Sequence, residues 1–429
     1  MRFRYSAEGD GKPVKKAVVY TPDEHRINYS DVDTQAVYIT ERLQANGYET
    51  YIVGGAVRDL ILGKKPKDFD IVTAASPVKI KKIFRNARII GRRFRLVHVF
   101  FGPKIFEVST FRSLKDGPTS NTFGTIEEDV QRRDFSLNAL FYDPLKQLVV
   151  DYVGGMKDMQ KGLIRPIIAL PHIFTDDPVR MIRAVKYSAV SGFKLPLSLK
   201  WRIRKHSGLL AAVSPSRLTE EIFKIIHSPH AREIVENLDA LGLYCYLQPQ
   251  AAELFKTMPA FKSRYLKTMG TLCGEGITQV TEPEARGAGC TSPPAGQRFG
   301  EPRVPSGETF SVLIRDYLED TAEWEAEPAG ADEARPLAER YKSAFTLARK
   351  FVLPMNPPRV ELDAALRLLF AEHGVSVKKM RFAERRQRPP RPAEAGKTAE
   401  AAIPAEAAPS GNGAVSNKRR RKRKKREWG

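Results

Sequence analysis

The chain has 429 residues and a formal charge of +21, a length that can bury a large core split over two or three domains and a cation excess that points to RNA, DNA or an acidic surface as partner. Cys245, Cys273 and Cys290 are too few and too scattered for a disulfide framework or a zinc site with paired spacing. No run of about 18 apolar residues occurs, and MRFRYSAEGDGKP lacks the apolar core of a secretion signal, so the expectation is a soluble, intracellular protein that engages no membrane.

Residues 1–24 are polar and weakly patterned, and read as a flexible lead with one short extended piece at 17–20. Residues 30–46 read as a helix that starts on Ser30 with Asp33, carries Val37, Ile39 and Leu43 on one stripe, and stops at Gly47. The stretch YIVGGAVRDLILGKKPKDFDIV, 51–72, organises the rest of the chain. Tyr51, Ile52 and Val53 are β-formers, and Gly54 with Gly55 permits a tight turn and close approach of a ligand. The next segment can open as a helix whose free N–H groups suit a phosphate, with Arg58 one turn on to pair with it. Phe69, Ile71 and Val72 are strand-like, which sets Asp68 and Asp70 on one face and Phe69 in the core. Adjacent carboxylates repel unless cations neutralise them, and Mg²⁺ on carboxylates plus substrate phosphates is the arrangement of phosphoryl and nucleotidyl transfer. A solvated surface strand is the alternative for an isolated pair; the glycine turn and Arg58 in front of this one favour the metal reading.

Residues 77–84 read as a second helix, and 88–111 as strands around a Gly102-Pro103 turn, giving a mixed sheet flanked by helices. Glu107 lies on one of these strands as a candidate third acid. Residues 113–124 read as a mobile loop beside the site, and 139–142 with 148–152 complete the β-rich part. Gly154 and Gly155 read as a turn only. From Asp176 the pattern is helical: Asp177-Pro178 caps a helix on which Arg180, Arg183 and Lys186 form one stripe, ordinarily a solvated face. Residues 193–270 read as short helices, among them 218–226 and 232–241, with Trp201, Phe223, Leu238 and Leu241 as core. Helical patterning returns at 310–324, 337–352 and 361–370. The tail ends in Lys418, Arg419, Arg420, Arg421, Lys422, Arg423, Lys424, Lys425 and Arg426, a self-repelling run that reads as a disordered tether for an RNA backbone.

GGAVRDLILG followed by KDFDIV resembles the nucleotidyltransferase signature of the polymerase β superfamily, in the form carried by the class II tRNA nucleotidyltransferase and poly(A) polymerase family. The likeness continues through GRRFRLVHVFFG, FEVSTFR, EEDVQRRDFSLNALFYD, DYVGGMKDMQKGLIR and DDPVRMIRAVKYSA, in order, over most of 25–230. It implies an α+β chain: a polymerase β-like nucleotidyltransferase head with a mixed sheet, then all-α neck and body domains and a disordered basic tail. The corresponding divisions are a flexible lead at 1–24, a catalytic domain at 25–160, and a helical nucleotide- and RNA-binding neck and body at 161–273. A linker or disordered insertion at 274–308, a helical domain at 309–382 and the RNA-binding tail at 383–429 complete them.

For the site, the resemblance implies two Mg²⁺ ions on Asp68 and Asp70, with Asp134 placed ahead of Glu107 as the further catalytic acid. It puts Gly54, Gly55 and Arg58 on the phosphates, Arg133 and Arg183 on the nucleotide, and Asp177 with Arg180 on the Watson–Crick edge of the incoming base. Two positions depart from the family pattern: Asp176 stands where relatives often have Glu, and Lys186 where they often have Arg, which keeps the charge but loses the bidentate fork. The implied activity is template-independent transfer of AMP from ATP to RNA 3′ ends with release of pyrophosphate. CCA addition to tRNA is the alternative and a non-catalytic RNA-binding adaptor the third; GRRFRLVHVFFG, His25-Arg26-Ile27 and the basic extension favour the first. ATP and RNA 3′ ends are the implied partners, RNA-decay factors the class of protein partner left open, and the bacterial cytoplasm the implied location.

Overall fold

The strands are β1 (Arg2–Ala7), β2 (Pro13–Tyr20), β3 (Thr50–Val53), β4 (Asp70–Thr73), β5 (Ala87–Ile90), β6 (Leu96–Phe101), β7 (Lys104–Thr110), β8 (Leu140–Asp143) and β9 (Leu148–Asp151), several of them short runs of β-branched and aromatic residues. They form one mixed sheet in the order β1-β2-β9-β8-β3-β4-β7-β6-β5. Only β4 and β7 run parallel; the other neighbours are antiparallel. The computed structural model describes residues 2–7, 13–91, 96–113, 122–271, 308–321, 336–355, 357–375 and 377. The 383–429 tail, most of the 274–308 insertion, residues 322–335 within the 309–382 helical domain, the 114–121 part of the loop and 92–95 of the GRRFR segment lie outside these residues.

Helices α1 (Pro22–His25), α2 (Thr34–Ala45), α3 (Gly55–Ile61), α4 (Pro77–Ile83), α5 (Ile126–Gln131) and α6 (Gly155–Gln160) accompany the sheet. After it come α7 (Ile173–Asp176), α8 (Val179–Ser191), α9 (Leu197–His206), α10 (Pro215–Ile226), α11 (Ala231–Ala240), α12 (Tyr244–Leu247), α13 (Pro249–Thr257) and α14 (Pro259–Thr271). The last three are α15 (Glu308–Thr321), α16 (Leu337–Phe351) and α17 (Arg359–Glu372). Among the described residues no helix is long and apolar enough to cross a membrane. The central strand β3 is buried along its whole length, as expected of an unbroken β-forming run covered on both faces. In the helical part α8 buries Val179, Met181, Ile182 and Val185, and packs on α11.

Three expectations change. Residues 1–24, read as a flexible lead, supply β1 and β2: β2 extends the sheet by pairing with β9, and Arg4 donates to Tyr51 and Tyr152 hydroxyls at 3.1 Å and to Glu49 at 2.7 Å. Those contacts come from far along the chain, so local pattern carried no trace of them. The 30–46 helix begins at Thr34, because Asp33 accepts from the Gln35 N–H at 2.8 Å and is itself the cap; 29–31 form a separate 3₁₀ turn. Trp201, read as core, is 58% exposed, since α9 rests on Leu199 and Ile203, two residues to either side and on the opposite face. His25 is structural: its ring bridges the Gln147 carbonyl and the Ile27 N–H at 3.0 Å and meets Tyr142 edge-on.

The Gly154-Gly155 turn opens α6, and its helix end is closed from within. Buried Asp151 accepts four backbone N–H groups, from Val153, Gly154, Gly155 and Met156, at 2.8 to 3.0 Å. Asp151→Ala leaves these donors without partner, and we expect a loss of about 3 kcal/mol; Asp151→Asn, which keeps the oxygen that serves three of them, loses less. Denaturant melts of the two variants check the ranking.

Candidate active site

β3 delivers the chain to Gly54, whose φ of 73° and ψ of −135° suit only glycine. Register pairs Val53 with Asp70, so the turn and the acid sit at one end of adjacent strands. A Cβ at Gly54 would stand 3.5 Å from Asp70 Oδ2. The ladder of β4 begins at Asp70, yet alternation extends back to Asp68: Phe69 is buried and both aspartates face outwards. Across the parallel β4–β7 pairing, Ile71 opposes Val108, which brings Glu107 beside Asp70.

These neighbours set the charge. Although Asp70 keeps an exposed edge, surrounding protein desolvates its carboxylate and the negative charges of Glu107 and Asp68 add to the effect, against Arg133, so its pKa is pushed up to about 6. Among the described residues no three His, Cys, Asp or Glu side chains are close enough to cage a metal ion by themselves. What is present, hard carboxylate oxygens under mutual repulsion at an open turn, fits a Mg²⁺ site completed by substrate phosphates.

The arginines are held rather than loose. Arg58 is buried; it binds Asp59 at 2.8 Å, donates to Asn138 Oδ1 at 3.0 Å and stands 5.5 Å over the Tyr187 ring. Arg133 binds Asp129 Oδ2 at 2.9 and 3.1 Å, donates to the Asn138 carbonyl at 3.2 Å and lies 5.0 Å from the Phe141 ring. Asn138, which the sequence reading passed over, thus braces both; its only signal was a polar residue inside the apolar run FSLNALF.

Asp134 is bound into the basic stripe of α8. Its two oxygens accept from Arg180 Nε at 2.7 Å and Arg183 Nη1 at 3.0 Å. Arg183 Nε continues to Glu221 at 3.0 Å, and Lys186 to the other Glu221 oxygen at 2.9 Å. The stripe on α8 is therefore a half-buried ladder instead of a solvated face. Arg180, 5% exposed, also donates to the Ile173 carbonyl at 3.1 Å. Asp177 caps α8 through the Val179 N–H at 3.1 Å and accepts from Arg217 at 2.6 Å. The structure thus brings Asp68, Asp70, Glu107, Gly54 and Arg133 together, and joins Asp134 to Arg180 and Arg183.

Residues 50–165 match the family model described as the poly A polymerase head domain, and 192–255 the one described as "Probable RNA and SrmB-binding site of polymerase A". The chain is 42% identical over 249 residues to poly(A) polymerase I of Salmonella typhi, covering 54% of either chain. It is 40% identical over 269 residues to poly(A) polymerase I of Escherichia coli O6:H1, covering 59% of this chain and 58% of the relative. With the CCA-adding enzyme of Geobacillus kaustophilus it shares 35% over 240 residues, 54% of this chain and 59% of the relative. The chain thus spans little more than half the length of the curated relatives it matches. Residues 50–165 are a poly A polymerase head domain, continued at 192–255 by a domain of the same family of polymerases.

Proposed function

We propose that this chain adds AMP from ATP to RNA 3′ ends without a template, releasing pyrophosphate. The observation that carries the reading is the Asp70 carboxylate, crowded by Asp68 and Glu107 and set against the open Gly54 turn. Asp68 and Asp70 would hold two Mg²⁺ ions. When bound, the metal supplies activation of the RNA 3′-hydroxyl and neutralisation of the triphosphate. Gly54 and Gly55 let backbone N–H groups approach the phosphates; Arg58 braces that turn, and Arg133 offers its cation beside Asp70.

Base selection falls to Asp177 and Arg180. Two of Arg180's donors are committed to Asp134 and the Ile173 carbonyl, which fixes the guanidinium plane before any base arrives. Asp134 is then a positioning residue for the base reader, and Glu107 the carboxylate that stands with the aspartate pair. The helical region after 161 would carry the RNA, with the basic tail adding salt-sensitive affinity. CCA addition to tRNA stays as the second reading, favoured by the likeness to the Geobacillus kaustophilus enzyme.

The deciding experiment supplies ATP or CTP, separately and together, with Mg²⁺, to an RNA ending in A and to a tRNA lacking its CCA end. Long extension by ATP alone supports the proposal; CTP incorporation that stops after CCA replaces it with the second reading, and silence on both substrates favours an adaptor.

Asp70→Asn should lower activity about a hundredfold or more while RNA binding persists. For the metal-free protein, affinity for Mg²⁺ should fall as pH drops through about 6, the value at which Asp70 takes up its proton; an affinity unchanged from about pH 7 to about pH 5 contradicts the role. The same shift has a stability sign. A folded pKa above the unfolded one means that ionised Asp70 destabilises the native state, fully above about pH 6 and not at all once both states are protonated. Asp70→Asn should therefore melt higher than wild type at pH 7, by roughly 1 kcal/mol after allowing for solvent screening, and the gap should close towards pH 4.

Asp134→Ala should cost about 3 kcal/mol by leaving buried Arg180 unpaired, and raise KM for ATP more than it lowers kcat. Steady-state kinetics with a thermal melt check both parts.

A further inference from the structure

Residues 178–219 contain no aspartate or glutamate, but nine lysines or arginines. The structure divides them. Arg180, Arg183, Lys186 and Arg217 are paired with Asp134, Glu221 and Asp177. Lys194, Lys200, Arg202, Arg204 and Lys205 form no ion pair among the described residues, and four of these five lie on α9.

α9 also carries aromatic and aliphatic surface that a buried partner would normally cover. Leu199 and Ile203 anchor it, at 1% and 0% exposure, while Leu197 and Trp201 face solvent one turn apart. Lys205 Nζ and the Arg202 guanidinium stand 5.0 and 5.5 Å from the Trp201 ring centroid. Beside them a groove of about 620 Å³ opens between α8, α9 and α11, lined by Lys194, Lys200, Arg204, Glu233 and Asn237 with Phe193 among its apolar residues. α9 packs on α7, whose last residue leads into Asp177, so this surface adjoins the end of α8 assigned to the base.

We propose that α9 is a track for single-stranded RNA just upstream of the 3′ end under extension: Trp201 stacks on an unpaired base, and Lys200, Arg202, Arg204 and Lys205 meet its phosphates. This rests on the proposed function and deepens it by naming where the primer is held. Single strands match the observations because an indole needs a free base face, which a duplex hides, and because cations without carboxylate partners release counterions on a polyanion. An acidic polypeptide would satisfy the charge and leave the indole unused.

The test uses the full chain, ATP and two primers, a trinucleotide and a long oligoadenylate. Trp201→Ala should raise KM for the long primer about tenfold, with kcat and the trinucleotide KM unchanged, and Trp201→Phe should recover most of the loss. Replacing Lys200, Arg204 and Lys205 by Gln should flatten the dependence of log affinity on log salt by about one per cation removed. Unchanged long-primer KM in both variants, or an equal rise for both primer lengths, overturns the proposal. If wild type extends neither primer, the functional reading fails first, and anisotropy of labelled oligoadenylate still decides α9: binding lost in Trp201→Ala upholds the track, and binding unchanged removes it. Polyglutamate that competes as well as RNA also overturns it.

Discussion

Asp134 accepts from Arg180 through one oxygen and from Arg183 through the other, and Glu221 repeats the arrangement between Arg183 and Lys186. This ladder runs from the sheet domain along α8 to α10 and fixes the guanidinium groups before any ligand arrives. Arg180, Arg183, Lys186 and, 3.8 Å from Glu221 Oε1, Lys224 face two acids, so the ladder carries a surplus positive charge. Burial alone would raise Glu221, but Lys186 and Arg183 outweigh it and hold its pKa below the usual range. Burial alone would lower Arg183, but Asp134 and Glu221 raise it. The surplus is felt at Lys186, where burial prevails and the pKa falls despite Glu221. With both oxygens of Asp134 committed, it is poorly suited to serve as a metal ligand as well.

The opposite condition holds at Asp70. Its neighbours Glu107 and Asp68 are acids, and Arg133, the nearest opposing cation, is already bound to Asp129. The two Gly-Gly turns make the same contrast. At Gly154-Gly155 the helix end is filled by Asp151, which leaves no room for an anion. At Gly54-Gly55 no side chain caps the helix, so the N–H groups there remain available to a ligand. An unneutralised acid beside an uncapped turn destabilises the folded protein.

Local pattern reached the parts of this fold whose causes are local. The β3 run, the glycine turn, the outward alternation of Asp68 and Asp70 and the Gly102-Pro103 hairpin all depend on residues within one or two turns of chain. The parts that were missed depend on partners far away. β1 is pinned by Arg4 reaching Glu49 and Tyr152. Glu107 was legible as a candidate acid, but its place beside Asp70 comes from the parallel pairing of β4 and β7, a register that no stretch of either strand encodes alone. Trp201 is a different failure: a large aromatic was assigned to the core on hydrophobicity, although its spacing from Leu199 and Ile203 already put it on the other face of α9.

The departure at Lys186 follows from the same geometry. An arginine there would offer a fork, but Glu221 has already given Oε1 to Arg183 and retains only Oε2. A single oxygen calls for a single donor, which an ammonium supplies without the second arm. Lys186 is thereby committed to the ladder, and the contact with nucleotide that an arginine at this position would suggest is not required of it. The cations of 178–219 differ in availability for this reason and not by type: those facing a carboxylate hold the fold in register, and those on α9 that face none are the ones free to meet a phosphate.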